Sequence, residues 1–150
     1  MNLYESKHIL PGDTIYPPTP SPLGYLGLSI CYDLRFPEVY RNLFMKGSQV
    51  LLVPSCFLNK TGGAHWETLL RARAIENQCY VIAAAQVGQH NEKRSSYGHS
   101  IVIDPWGDIV GQMSDKEGYF MADVDLDYVD SVRENMDCMS HMKRELFSRL

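Results

Sequence analysis

The sequence predicts an α/β domain built on a mixed sheet, and three observations predict it. Apolar runs at 27–31, 49–53 and 79–85 are continuous rather than alternating, as in parallel strands buried on both faces. Segments of helical period at 36–46 and 64–77 separate those runs, which is the strand–helix–strand rhythm of a parallel sheet. The pattern then changes: two short apolar runs, 100–103 and 108–111, flank Asp104-Pro105-Trp106-Gly107, a hairpin turn with Pro at its second position and Gly at its fourth. No internal repeat interrupts this order.

The elements follow one another with ordinary signals. Residues 1–24 hold Pro11-Gly12, Pro17-Pro18, Pro20 and Pro22 and read as an extended, turn-rich surface segment without a periodic element. A buried strand is expected over 27–31. The helix after it places Tyr40, Leu43 and Phe44 on one face and stops at Gly47. A second strand, 49–53, ends at Pro54-Ser55, and Asn59-Lys60-Thr61-Gly62-Gly63 reads as a loop leading into a longer helix from Ala64 to Asn77. On that helix Trp66, Leu69, Leu70 and Ala74 share a face, while Glu67–Arg71 and Arg73–Glu76 are spaced for ion pairs. The third strand is closed by a polar segment, 88–96. After the hairpin one more strand is expected over 119–124, and Asp125 can cap a last helix running to about Asn135.

The totals exclude several classes. At 150 residues the chain is long enough for one domain, and 45% hydrophobic with 21% charged residues is a globular composition. A net charge of -4 without Lys/Arg runs argues against nucleic-acid or membrane-surface partners. No apolar run has the length of a membrane span and no signal-peptide core is visible, so a cytoplasmic location is expected, with the mitochondrion as the alternative. The four cysteines, Cys31, Cys56, Cys79 and Cys138, form no C-x-x-C pair, so neither a disulfide framework nor a metal site is expected. Cys56 and Cys79 lie in apolar surroundings and read as buried structural thiols. Cys138 and His141 have ligand spacing but no second pair. Asn59-Lys60-Thr61 fits a glycosylation sequon, expected to be unused without a secretory signal.

The candidate chemistry centres on Cys31. It ends an apolar run, and Phe36-Pro37-Glu38 begins a helix a few residues later. Pro suits a first helical turn and Glu38 the positive end of the helix dipole. A thiol at a strand exit beside unpaired backbone N–H groups is placed as a nucleophile would be, with an oxyanion site at hand. A plain core thiol fits the same pattern, so both readings stand. His65 and His99 are candidate bases that the spacing does not bring to Cys31. Arg71 and Arg73 read first as ion-pair partners and second as carboxylate binders.

Cys31-Tyr32-Asp33-Leu34-Arg35-Phe36-Pro37-Glu38 resembles the nucleophile motif of the nitrilase (carbon–nitrogen hydrolase) superfamily. The resemblance continues in order through His65-Trp66-Glu67, Leu70-Arg71-Ala72-Arg73-Ala74-Ile75-Glu76-Asn77, Tyr97-Gly98-His99-Ser100 and Asp104-Pro105-Trp106-Gly107, and it is strongest to the Nit branch. It implies a four-layer α-β-β-α sandwich of which residues 1–150 form the C-terminal half, a partial hydrolase domain. It also implies a Cys-dependent amidohydrolase that cleaves a small carboxylate-bearing amide, of the deaminated-glutathione kind, to an acid and ammonia through a thioester. No cofactor or metal is implied; a homo-oligomer is.

By this resemblance Cys31 is the nucleophile and the Tyr32 backbone N–H contributes to the oxyanion hole. Glu5, ahead of Pro11-Gly12, matches the family's second Glu, which orients the catalytic Lys and the substrate. Thr61 and His65, in the stretch Thr61-Gly62-Gly63-Ala64-His65, form a substrate-binding wall of the pocket. The family's general-base Glu and catalytic Lys fall upstream of Met1, and Lys7 lies on the wrong side of Glu5 to replace that Lys. The chain by itself is therefore expected to be inactive and poorly soluble, with a non-catalytic role docking on Nit-type chains as the alternative. Ser140-His141-Met142-Lys143-Arg144-Glu145-Leu146-Phe147 follows the family's terminal arm with Met142 and Lys143 in place of paired arginines. Ser148-Arg149-Leu150 resembles a peroxisomal ending, for which a chance tripeptide is the favoured reading.

Overall fold

A computed structural model describes residues 7–146. Glu5 and Ser148-Arg149-Leu150 lie outside the described residues. The six-stranded sheet has the order β1 (Thr19–Ser21), β2 (Gly24–Leu28), β3 (Val50–Leu52), β4 (Tyr80–Ala83), β7 (Ile101–Ile103), β8 (Ile109–Gln112). Its centre is parallel: β2 (Gly24–Leu28), β3 (Val50–Leu52) and β4 (Tyr80–Ala83) pair with Leu26 opposite Val50 and Val50 opposite Tyr80. β1 (Thr19–Ser21) adds to β2 antiparallel on one side. On the other, β7 (Ile101–Ile103) pairs antiparallel with β4, and β8 (Ile109–Gln112) with β7. The mixed α/β architecture is the one expected.

Strand alternation explains why the apolar runs are unbroken. Leu51, Val81, Ala83, Ile101 and Ile103 join the core under α1 (Pro37–Met45) and α2 (Asn59–Asn77), with Tyr40, Leu43, Trp66, Leu70 and Ala74 as the helix contribution. Val50, Tyr80 and Val102 point to the opposite face, where Val129 of α3 (Leu126–Asn135) and the partly buried Phe120, Ala122 and Val124 cover them. That second face is only partly covered, since Leu28 is 56% and Ile30 69% exposed. α1 begins with Pro37 in its first turn. The Asp125 carboxylate caps α3 by accepting from the N–H groups of Asp127 and Tyr128. In the β7–β8 turn, Asp104 Oδ1 accepts from the N–H groups of Trp106, Gly107 and Asp108, each at 2.9 Å.

Several boundaries differ from expectation. β2 ends at Leu28, so Cys31 is past the strand and opens a 3-10 turn, Cys31–Arg35. β1 forms inside the proline-rich segment because Pro20 sits on an edge strand, where a missing donor is tolerated. The stretch read as a loop, Asn59 to Gly63, is the start of α2. Gly62 is required there because a Cβ would overlap the Tyr97 ring. The polar segment after Gln86 forms a second, two-stranded sheet, β5 (Val87–Asn91) with β6 (Arg94–Tyr97). Residues 119–124 are extended against the sheet face but form no strand. Cys79 is fully buried, as expected; Cys56 is half-buried and not a core thiol. Cys138 opens a short helix, α4 (Cys138–His141), capped by the Asp137 side chain. Among the described residues no helix is long and apolar enough to cross a membrane, and no three His, Cys, Asp or Glu side chains stand close enough to hold a metal ion.

The core makes the fold alkali-sensitive. Burial pushes the Cys79 thiol from 9.0 up to about 11, against the lowering effect of Arg133, and pushes the Tyr40 hydroxyl from 10.0 up to about 12. The folded chain keeps both protons through a range in which the unfolded chain releases them, so stability is full below about pH 9 and falls as pH rises toward 12. Each group contributes on the order of 3 kcal/mol to that loss. Thermal melts from pH 8 to about pH 11.5 should show Tm dropping from pH 9 onward. Cys79→Ala should flatten the start of the drop and Tyr40→Phe its upper part; a constant Tm across the range would contradict the account.

Candidate active site

The 3-10 turn Cys31–Arg35 is held from three sides. Cys31 donates its backbone N–H to Pro54 O at 2.9 Å, which continues the β2–β3 pairing past the strand ends. The Asp33 carboxylate accepts from the Ile30 N–H at 2.9 Å and Asp33 N–H donates to Ile30 O, closing the turn on itself. From below, Arg73 donates Nε and Nη2 to Leu34 O at 3.2 and 2.8 Å and pairs through Nη1 with Glu76 at 2.9 Å. Its guanidinium also lies 5.4 Å from the Tyr40 ring centroid. Ser29 Oγ donates to Leu52 O, so the Tyr40 hydroxyl, 2.8 Å away, is the donor to Ser29. Arg73 is thus a packing residue, and Arg71 donates to Gly107 O beside its Glu67 pairing.

Within this frame Cys31 adopts φ 46°, the left-handed region. A side-chain-bearing residue there costs about 1–2 kcal/mol relative to the right-handed conformation, and such strain gathers where a side chain must be aimed. Here it turns Cys31 out of the strand alternation. The thiol is half-buried and lines an open cavity of about 530 Å³ with Ile30, Pro54, Ser55, Cys56, Ala84, Ala85, Gln86 and Ser100. No Asp, Glu, Lys, Arg or His is among the lining residues. Tyr32, next in the turn, is 60% exposed, and its ring meets Phe36 edge-on at 5.7 Å. Its N–H stands before the first acceptor that the turn itself offers, as the leading donors of a helical turn do.

The other sequence candidates lie nearby but do not line that cavity. Thr61 sits in the first turn of α2, its hydroxyl donating to Leu58 O at 3.2 Å. His65 is exposed one turn later, with Nδ1 3.3 Å from Arg35 Nη1. His99, also left-handed at φ 62°, stacks on Tyr97 at 4.0 Å and donates Nδ1–H to Tyr97 O. It lines an adjoining cavity that shares Ala85, Gln86 and Ser100 with the first. Trp66 Nε1 donates to His99 O at 2.8 Å, fixing that corner from α2.

Two features escaped the sequence reading. Arg35, in the same turn as Cys31, has its guanidinium within about 5.5 Å of both the Tyr32 and Phe57 rings, and no acidic partner among the described residues. The motif's position four residues after Cys31 was the available signal. Cys56 lines the Cys31 cavity, and only the β5–β6 hairpin, read as a polar loop, reveals its partners.

Comparison with known proteins places this geometry. The carbon-nitrogen hydrolase family model matches residues 2–134. A deaminated glutathione amidase of Mus musculus is 49% identical over 146 residues, which is 97% of this chain and 45% of that protein. The crystal structure of the C. elegans NitFhit protein superposes with a TM-score of 0.90 at 52% identity, covering 97% of this chain and 35% of that one. An amidase from Nesterenkonia sp. AN1, whose structure shows acrylamide added to its active-site cysteine, superposes with a TM-score of 0.70 at 31% identity over 89% of this chain and 52% of that one. The chain spans less than half the length of the curated relatives it matches. With the family model running through the Cys31 turn, both helices beneath it and the β7–β8 hairpin, this chain belongs to the carbon–nitrogen hydrolase family.

Proposed function

We propose that Cys31 is the nucleophile of a thiol amidase acting on a small carboxylate-bearing amide of the deaminated-glutathione kind. The observation that carries this is the left-handed Cys31, aimed into a cavity with no competing charge. The names of the amidase relatives and the covalent adduct on the Nesterenkonia cysteine support it. In this reading the Cys31 thiolate attacks the amide carbon, and the Tyr32 N–H donates to the oxygen that gains charge. The intermediate collapses, the C–N bond breaks, and a general acid protonates the leaving ammonia. Water then attacks the thioester, releasing the acid and restoring the thiol. Glu5 would help orient this chemistry, alongside the base Glu and the Lys of the family triad, neither of which is assigned to a residue of this chain. Arg35 is the cation we assign to the substrate carboxylate, with His65 and Thr61 at its side, because aromatic flanks and a guanidinium whose one side-chain hydrogen-bond partner among the described residues is His65 suit a planar anion. The complete enzyme is a homo-oligomer in this reading, and residues 1–150 alone release no ammonia from an amide above background.

Acyl trapping tests the assignment. The chain joined to the preceding half of a close family member is incubated with a short dicarboxylic monoamide and quenched in acid. The tryptic peptide carrying Cys31 should gain the acyl mass. An acyl group on another residue, or ammonia release without any acyl-enzyme, would overturn it. A second reading, a non-catalytic chain docking on Nit-type partners, is favoured by the exposure of Leu28 and Ile30. It predicts co-purification with a full-length relative and no acyl-enzyme in that complex.

A further inference from the structure

Cys31 shares its cavity with a second thiol, and that thiol has a proton path of its own. Cys56 Sγ lies 2.9 Å from Ser96 Oγ, and Ser96 Oγ lies 2.6 Å from His90 Nε2. Arg94 Nη2 reaches the same sulfur at 3.9 Å. Ser96 is buried, at 5% exposure, so the middle of this relay is a shielded hydroxyl, while His90 at its far end is exposed on β5 and can exchange the proton with solvent. A hydroxyl between a thiol and an imidazole can pass the thiol proton on and take it back.

The two cysteines are also close along the backbone. Leu28 pairs with Leu52, and the bonds Ser29 N–H to Leu52 O and Cys31 N–H to Pro54 O extend that register, setting Cys31 opposite Ser55. Cys56 is the next residue. Ordinary strand spacing gives such a diagonal pair a Cα separation of roughly 6 Å, within the range of about 4.4–6.8 Å that a disulfide spans. In a regular ladder, diagonal neighbours point to opposite faces, but the left-handed turn at Cys31 breaks that alternation, and both side chains line one cavity.

We infer that Cys56 is the resolving thiol of Cys31, so that a hydroperoxide converts the pair to a Cys31–Cys56 disulfide that masks the nucleophile reversibly. In the first step the Cys31 thiolate attacks the peroxide; the S–O bond forms, the O–O bond breaks, and the leaving oxygen takes a proton as alcohol or water. Sulfur is oxidised and the peroxide reduced. In the second step Cys56 gives its proton through Ser96 to His90 and attacks the Cys31 sulfur; the S–S bond forms, the S–O bond breaks, and the departing hydroxide takes up a proton from solvent, with which the exposed His90 re-equilibrates, to leave as water. A thiol reductant reverses the change. The masking consequence rests on Cys31 being the nucleophile, whereas the disulfide does not.

Peptide mapping separates the two claims, because Lys and Arg cleavage leaves all four cysteines on different peptides. The reduced 150-residue chain is treated with equimolar hydrogen peroxide and digested without reductant. The expected product joins the Cys31 and Cys56 peptides and disappears with dithiothreitol. Cys56→Ser should instead accumulate Cys31 sulfenic acid, captured by dimedone. Ser96→Ala should slow the link while leaving the rate of Cys31 oxidation unchanged. Cys31 sulfinic acid in the unsubstituted chain without any link, or links scattered to Cys79 and Cys138, would overturn the inference. Because the readout is mass, a failed amidase assignment would leave a positive result intact, and a missing link would leave the amidase assignment intact.

Discussion

Cys31→Ala, in the chain joined to the N-terminal half of a full-length family relative, is expected to lower amide turnover by on the order of 10⁶-fold. The expectation follows from the turn geometry and the proposed thioester route: besides Cys31 the cavity is lined by Ile30, Pro54, Ala84, Ala85, two serines, Gln86 and one other thiol, Cys56. Cys56 is in the same cavity, yet its backbone does not share the Cys31 turn and its sulfur is engaged with Ser96. Cys31→Gly makes a useful companion. It should be as inactive as the alanine variant but about 1 kcal/mol more stable, because glycine adopts the left-handed conformation without a Cβ penalty. Ammonia release and urea melts on both variants check this. Turnover within tenfold of the unsubstituted protein would remove Cys31 from the chemistry.

Arg73→Met should cost about 3–5 kcal/mol of folding stability, the range for stripping one partner from a buried charged network. Arg73 is 5% exposed and supplies both hydrogen bonds to Leu34 O while pairing with Glu76. Met fills the volume beside Tyr40 but leaves the Leu34 carbonyl without its two guanidinium donors and Glu76 with only the long 3.5 Å contact from Asn77 Nδ2. Arg73→Lys should recover only part of the loss, because an ammonium cannot serve Leu34 O and Glu76 with the planar fork. Since Leu34 lies in the turn that carries Cys31, the rate of Cys31 alkylation by iodoacetamide should change in the Met variant at temperatures where it stays folded. A loss below about 1 kcal/mol in urea unfolding would show that the turn is held elsewhere.

The sequence made visible those elements whose signals are local. Pro37 opens α1, Asp125 caps α3, and Asp104 organises the β7–β8 turn with its own carboxylate, so each was readable within a few residues. What it concealed depends on distant partners. Asn59 to Gly63 has weak helix propensity and becomes helical because Gly62 must pass under Tyr97, 35 residues on in the chain. The β5–β6 hairpin is polar because it stands outside the main sheet, so no apolar alternation announces it. Residues 119–124 carry strand-like patterning and half-bury Phe120, Ala122 and Val124 without joining a ladder. At the site, the motif around Cys31 was legible as a motif. The strain at Cys31, the aromatic flanks of Arg35 and the nearness of Cys56 belong to the tertiary fold.

The outer edge of the sheet decides how this molecule would self-associate. β1 is three residues long, and its central Pro20 has no N–H to offer a docking strand. Ribbon growth by edge addition is therefore blocked at that end. The exposed Leu28 and Ile30 instead favour association through the face of the sheet, side chain against side chain, without backbone pairing between copies.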